Sequence, residues 1–167
     1  MTRLRGRSRR GERLVASCPH GHWKTTTMIS SIRLDGTTAC MTIDGPTDTE
    51  VFQAYVREIL CPSLRPGDIV VMDNLAPHKN PQTLELIRAA NATPLFLPAY
   101  SPDLNPIEMM WSKVKALLRK AEARTHPDLL QAITHAPRAI TPEDAVGWIT
   151  HCGYRLSNNA LERFRFR

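Results

Sequence analysis

The run Ile69-Val70-Val71-Met72, entered through Pro66-Gly67 and left through Asp73-Asn74, constrains the fold more than any other feature of the chain. A short unbroken apolar run between turn signals reads as a strand buried on both faces. It is the longest strongly apolar run in 167 residues and falls far short of the ~20 residues a membrane-spanning helix needs. A chain with such a strand must cover it with other elements, and the downstream pattern supplies them. A helix is expected over 81–90, a second buried strand over 93–97, a proline-rich loop over 98–106, a long helix from 106 to about 124, and helices near 127–136 and 142–151. Upstream, residues 13–17 and 24–34 read as strands, and Asp35-Gly36 is a hairpin turn signal answered by a returning strand over 37–43. Asp48 then caps a helix to about Leu60, with Val51, Phe52, Tyr55, Val56, Ile59 and Leu60 on one face, and 62–67 reads as a loop. There are no internal repeats, and strands followed by strand–helix alternation indicate a mixed α/β domain.

Charge is concentrated at the ends. Residues 1–13 carry Arg3, Arg5, Arg7, Arg9, Arg10 and Arg13 against Glu12, a net of +5; residues 155–167 carry a net of +3, and the stretch between them −2. Arginine clusters of this kind bind polyanions by releasing condensed counterions, so nucleic acid is the natural partner class, with solvated termini as the bland alternative. No apolar stretch follows the arginines, so no secretory signal is expected. Cys18, Cys40, Cys61 and Cys152 are widely spaced, the usage of a reduced intracellular protein. Cys18, His20 and His22 lack the spacing of a zinc finger and have no second ligand pair.

Two carboxylates stand out. Asp73 closes the buried strand, at the end where open α/β sheets collect ligands, with Asn74 and His78 after it; an Asp there also serves as a turn former. Glu108 is the third residue of the long helix, and Asn105, Pro106 and Glu108 fit the N-cap, first and third positions of a capping box. The helix has a core face at Ile107, Met110, Trp111, Val114, Leu117, Leu118 and Ala121. Glu108, Ser112, Lys115 and Arg119 align beside it. That line offers a carboxylate and a basic track, as a nuclease-like site needs and as a plain solvated face also provides.

The stretches VVMDNLAPHKN (70–80) and LPAYSPDLNPIEMMWSKVK (97–115) resemble the two signature blocks of DDE-type transposases, closest to the bacterial insertion-sequence branch of the Tc/mariner superfamily. The 34 residues between Asp73 and Glu108 match that group's spacing, and GRSRRGERLVAS, HGHWKTTTMISSIRLDG and GWITHCGY extend the likeness over nearly the whole chain. The resemblance implies a ribonuclease-H-like α/β fold, a mixed sheet flanked by helices, with a basic arm over 1–13, a partial catalytic core over 14–125, and a C-terminal helical extension with a basic tail over 126–167. It implies metal-dependent DNA cleavage and strand transfer by an Asp–Asp–Glu triad holding two Mg²⁺ or Mn²⁺ ions. Asp73 carries over as the second Asp and Glu108 as the Glu, both metal-binding and catalytic, while Asn74, His78 and Asn105 position the site. Arg3, Arg5, Arg7, Arg9, Arg10, Lys115 and Arg119 are the DNA-binding candidates. Transposon ends and target DNA are the implied partners, with a homodimer and a bacterial cytoplasmic, nucleoid-associated location; no membrane and no small-molecule substrate are expected.

The chain departs from that pattern at one point. The first Asp is expected upstream of the GRSRRGERLV arm, on the first strand of the fold, and no Asp precedes Asp35. Asp35 and Asp44 sit in Asp-Gly turns and make poor substitutes. The sequence therefore reads as starting after its first catalytic strand, without a helix-turn-helix segment. The strand at 69–72 should then lack a neighbour, leaving a gap or an exposed edge, marginal stability and weak metal binding. A catalytically silent remnant that binds DNA non-specifically is the alternative reading.

Overall fold

A computed structural model of the chain describes residues 6–15 and 25–155. It is a mixed α/β structure in which two small sheets are held by helices. Strands β1 (Thr26–Ile32) and β2 (Thr38–Asp44) form an antiparallel hairpin, and β3 (Ile69–Met72) and β4 (Thr93–Phe96) form a parallel pair. The expected strand over 13–17 is absent at residues 13–15, where Leu14 and Val15 are exposed; 16–17, like Cys18, His20 and His22, lie outside the described residues.

The hairpin turns where Asp35-Gly36 signalled it. Asp35 accepts the Thr37 amide at 2.9 Å, and Gly36 takes a φ of +79° that a side chain would resist. Helix α1 (Thr49–Tyr55) starts on Asp48, whose carboxylate accepts the Val51 amide at 2.8 Å. The helix does not stop at Leu60. It widens into π-helical turns over Val56–Leu60 and runs on as α2 (Cys61–Ser63). The expected loop over 62–67 is thus helical at its start. The Cys61 amide reaches back to the Val56 carbonyl, five residues away, and this wider register admits Pro62, which has no amide to donate.

Strand β3 differs from its expectation too. Met72 is buried, but Ile69, Val70 and Val71 are only half-buried, because β3 has one hydrogen-bonded neighbour among the described residues. That neighbour is β4, with Ile69 opposite Thr93 and Met72 opposite Phe96. Pro94 suits a strand paired on one side only. Helix α3 (Pro81–Ala89) covers this pair, and its Ile87 packs with Phe52, Tyr55, Val56, Leu60, Met72 and Ala92 in a first core. Arg33, just past β1, grips Asp68, just before β3, through two hydrogen bonds of 2.6 and 3.1 Å, linking the two sheets.

A second core forms on helix α4 (Pro106–Ala121). Met110, Val114 and Leu118 are buried against Ile133, Ala136 and Ile140, with Ile107, Trp111 and Leu117 packed alongside. This is the expected face, except that Ala121 is exposed. The helix also ends at Ala121 and not near 124, since Glu122 turns left-handed at φ 50°. Helices α5 (His126–His135) and α6 (Pro142–His151) complete this half.

Candidate active site

Parallel pairing sends the chain out of β3 and β4 on the same side. The Leu97 amide extends the ladder to the Met72 carbonyl at 2.9 Å, so Asp73 and Leu97 leave the sheet together. Asn74 fastens the two exits, its Nδ2 donating to the Leu97 carbonyl at 2.5 Å. Asp73 is held by its own turn. Its Oδ1 accepts the Leu75 amide at 3.0 Å, the turn-forming role the sequence allowed.

The same Oδ1 lies 2.6 Å from His78 Nδ1, with the His78 side chain 19% and the Asp73 side chain 44% exposed. Although the atoms are this close, Nδ1 has no hydrogen-bond partner. The contact is one of proximity, with the imidazole packed against an aromatic ring. Phe52 of α1 stacks on it at 4.4 Å between ring centroids, tilted 43°. Behind it, Asn80 caps α3 and also accepts a bond from Gln53 Nε2 at 2.9 Å, tying this loop to α1. Asp73 Oδ2 accepts no hydrogen bond among the described residues.

Glu108 stands at the start of α4, exposed. Asn105 is the N-cap residue, as expected, but its side chain caps nothing, and the link to Glu108 is the backbone bond from the Glu108 amide to the Asn105 carbonyl at 3.1 Å. The expected capping box is therefore not formed. The cause is the 3₁₀ turn Pro102–Leu104 directly upstream: the Asn105 amide, which a box needs as its donor, is already given to the Pro102 carbonyl at 3.0 Å. That turn is itself clamped by Tyr154, whose hydroxyl donates to the Leu104 carbonyl at 2.6 Å. The Glu108 carboxylate has no protein partner among the described residues.

Farther along α4, Ser112 and Lys115 are exposed and Arg119 is half-buried, so the aligned track lies on or beside the solvent face. Arg7, Arg9 and Arg10 are exposed, and Arg3 and Arg5 lie outside the described residues. Phe52, Gln53 and Tyr154 were not legible as parts of this region. Phe52 carried only the signal of a core position, and Tyr154 gains its role by a contact 50 residues distant.

Asp73 and Glu108 offer hard oxygen donors of the kind that bind Mg²⁺. No group of three or more His, Cys, Asp and Glu side chains suited to a metal ion exists among the described residues. Among the described residues, the side chains match a divalent ion in kind but not in number. Among curated proteins none matches the chain. The sequence profile of a family described as DDE superfamily endonuclease matches residues 1–130, a span that contains both carboxylates.

Proposed function

The chain belongs to the DDE superfamily of endonucleases, and from that premise we propose that it is the catalytic part of a bacterial insertion-sequence transposase, cutting and joining DNA strands. The observation that carries this reading is the Glu108 carboxylate, left out of its helix cap on the element that follows the β4 exit. The mixed α/β structure is consistent with a ribonuclease-H-like endonuclease.

In this reading Asp73 and Glu108 are two of the three carboxylates that hold Mg²⁺ or Mn²⁺. The metal would supply charge stabilisation to an in-line displacement at phosphorus. Asn74 keeps the β3 and β4 exits in register, His78 packs beside one oxygen of Asp73, and Asn105 sets the start of α4. The arginines of the arm, with Lys115 and Arg119, bind the phosphates of transposon ends and target. The active species is a homodimer on nucleoid DNA. No helix is long and apolar enough to cross a membrane among the described residues.

Plasmid nicking in Mg²⁺ or Mn²⁺ tests this, with the family's first-strand segment supplied in trans. Metal-dependent nicks are expected, with Asp73→Asn and Glu108→Gln each lowering the rate on the order of 100-fold or more. No metal-dependent nicking under any of these conditions would sink the proposal. A second reading, a catalytically silent chain that binds DNA without sequence preference, is favoured by the lack of a three-ligand metal cluster among the described residues. It predicts salt-sensitive DNA binding with no nicking at all.

A further inference from the structure

The Pro98–Ser101 segment between β4 and the 3₁₀ turn holds a side chain that the fold does not use. Tyr100 is 102% exposed, so its ring rests on nothing in the protein. Its backbone is left-handed at φ 58°, a conformation that bulky residues rarely adopt. The chain thus bears backbone strain and leaves an aromatic ring in water at the same residue, and neither helps it fold. Strain of this kind gathers where a surface must be presented to a ligand.

The segment is anchored at both ends. Leu97 is bonded to Met72 and to Asn74, and Leu104 is bonded to Tyr154. The ring therefore stands on a short span between two fixed points. The matching exit from β3 does something similar: Leu75, two residues beyond Asp73, is also exposed. Both exits on the carboxylate side of the parallel pair thus offer one large apolar group to solvent. Lys79, exposed in the same β3 exit loop, adds a positive charge.

We propose that Tyr100 is a stacking platform for an unpaired base of the DNA strand being cut or joined. The inference rests on the reading of the chain as a DNA-processing enzyme and adds what that reading lacks, a contact to the base. A flat aromatic face accepts any base, so the contact confers affinity for opened or single-stranded DNA without specifying sequence. Where a nucleotide leaves the stack, an aromatic surface offsets part of the unstacking cost.

The test uses the full chain and oligonucleotides carrying 2-aminopurine, whose fluorescence falls when the base is stacked. Single-stranded and mismatched probes should be quenched by the wild-type chain and by Tyr100→Phe. Tyr100→Ala should lose the quenching and bind single strands about 5- to 150-fold more weakly. The slope of affinity against salt should not change, since no charge is removed. Tyr100→Gly, which relieves the left-handed backbone, should show the same loss with a melting temperature no lower than wild type. Quenching that persists in Tyr100→Ala overturns the inference, even where nicking stands. Tyr100-dependent quenching without nicking supports the inference and sinks the catalytic reading. A chain that binds no DNA overturns both.

Discussion

Helices α4, α5 and α6 open on closely similar sequences, Asn105-Pro106-Ile107-Glu108, Thr125-His126-Pro127-Asp128 and Thr141-Pro142-Glu143-Asp144, yet their first turns differ. In α5 and α6 the threonine hydroxyl accepts the amide three residues on, at 3.2 Å in both, and the aspartate returns to the threonine amide, at 3.3 Å and 2.9 Å. In α4 neither bond forms. The difference lies in what precedes each helix. The Asn105 amide is consumed by the 3₁₀ turn behind it, so the Glu108 carboxylate has nothing to close upon. A short acidic motif at a helix start can therefore be structural twice and free once in the same chain, and the neighbouring turn decides which.

The strongest way to break the comparison is to damage a closed box from outside. The hairpin turn at Gly36 packs on the start of α6. A Cβ there would lie 2.8 Å from the Thr141 carbonyl carbon and 2.9 Å from the Pro142 nitrogen, at a φ of +79°. Gly36→Ala should cost about 1–3 kcal/mol through backbone displacement and strain. Denaturant unfolding would show it, and a wild-type midpoint would mean that the turn does not press on α6. Next in size are the caps themselves. Thr125→Ala and Thr141→Ala should each cost about 1 kcal/mol, and Asn105→Ala less than about 0.5 kcal/mol, since no cap bond is lost. Equal losses at all three positions would erase the distinction.

Acid should expose a smaller effect in α6. A hydrogen bond from Lys113, followed by the Thr141 amide, holds the Asp144 carboxyl below its ordinary value of 3.8. A group depressed in the folded state contributes stability that is present above its unfolded pKa and is lost as pH falls through the folded one. Stability should therefore drop beneath about pH 4, and Asp144→Asn should flatten that part of the curve. Thermal melts between pH 2 and 5 would check it; an unchanged acid slope in the variant would show that the carboxyl contributes nothing.

The sequence made the local rules legible. Asp35-Gly36 predicted the hairpin, Asp48 the start of α1, and steps of three and four the buried face of α4, because each depends on neighbours along the chain. What it concealed depends on distant or competing partners. The π-helical turns that carry α1 past Pro62 are a choice of register, and the half-buried state of Ile69, Val70 and Val71 depends on how many strands flank β3. At the site, the Asp73, Asn74 and His78 block could be read as a unit, and the structure does bring His78 to Asp73. The bracing by Phe52 and the Tyr154 clamp are long-range contacts without a local signature. The capping box at Glu108 failed because two local rules, a box and a 3₁₀ turn, compete for one amide.

The central claim is that the Glu108 carboxylate is no part of the fold. A thermal melt of Glu108→Ala beside Asp144→Ala tests it most directly. Glu108→Ala should stay within about 0.5 kcal/mol of wild type, the weak helix-dipole contribution of an exposed first-turn acid, while Asp144→Ala should lose about 1–2 kcal/mol with its cap and its Lys113 partner. A loss at Glu108 as large as that at Asp144 would contradict the account and make the carboxylate a structural cap after all.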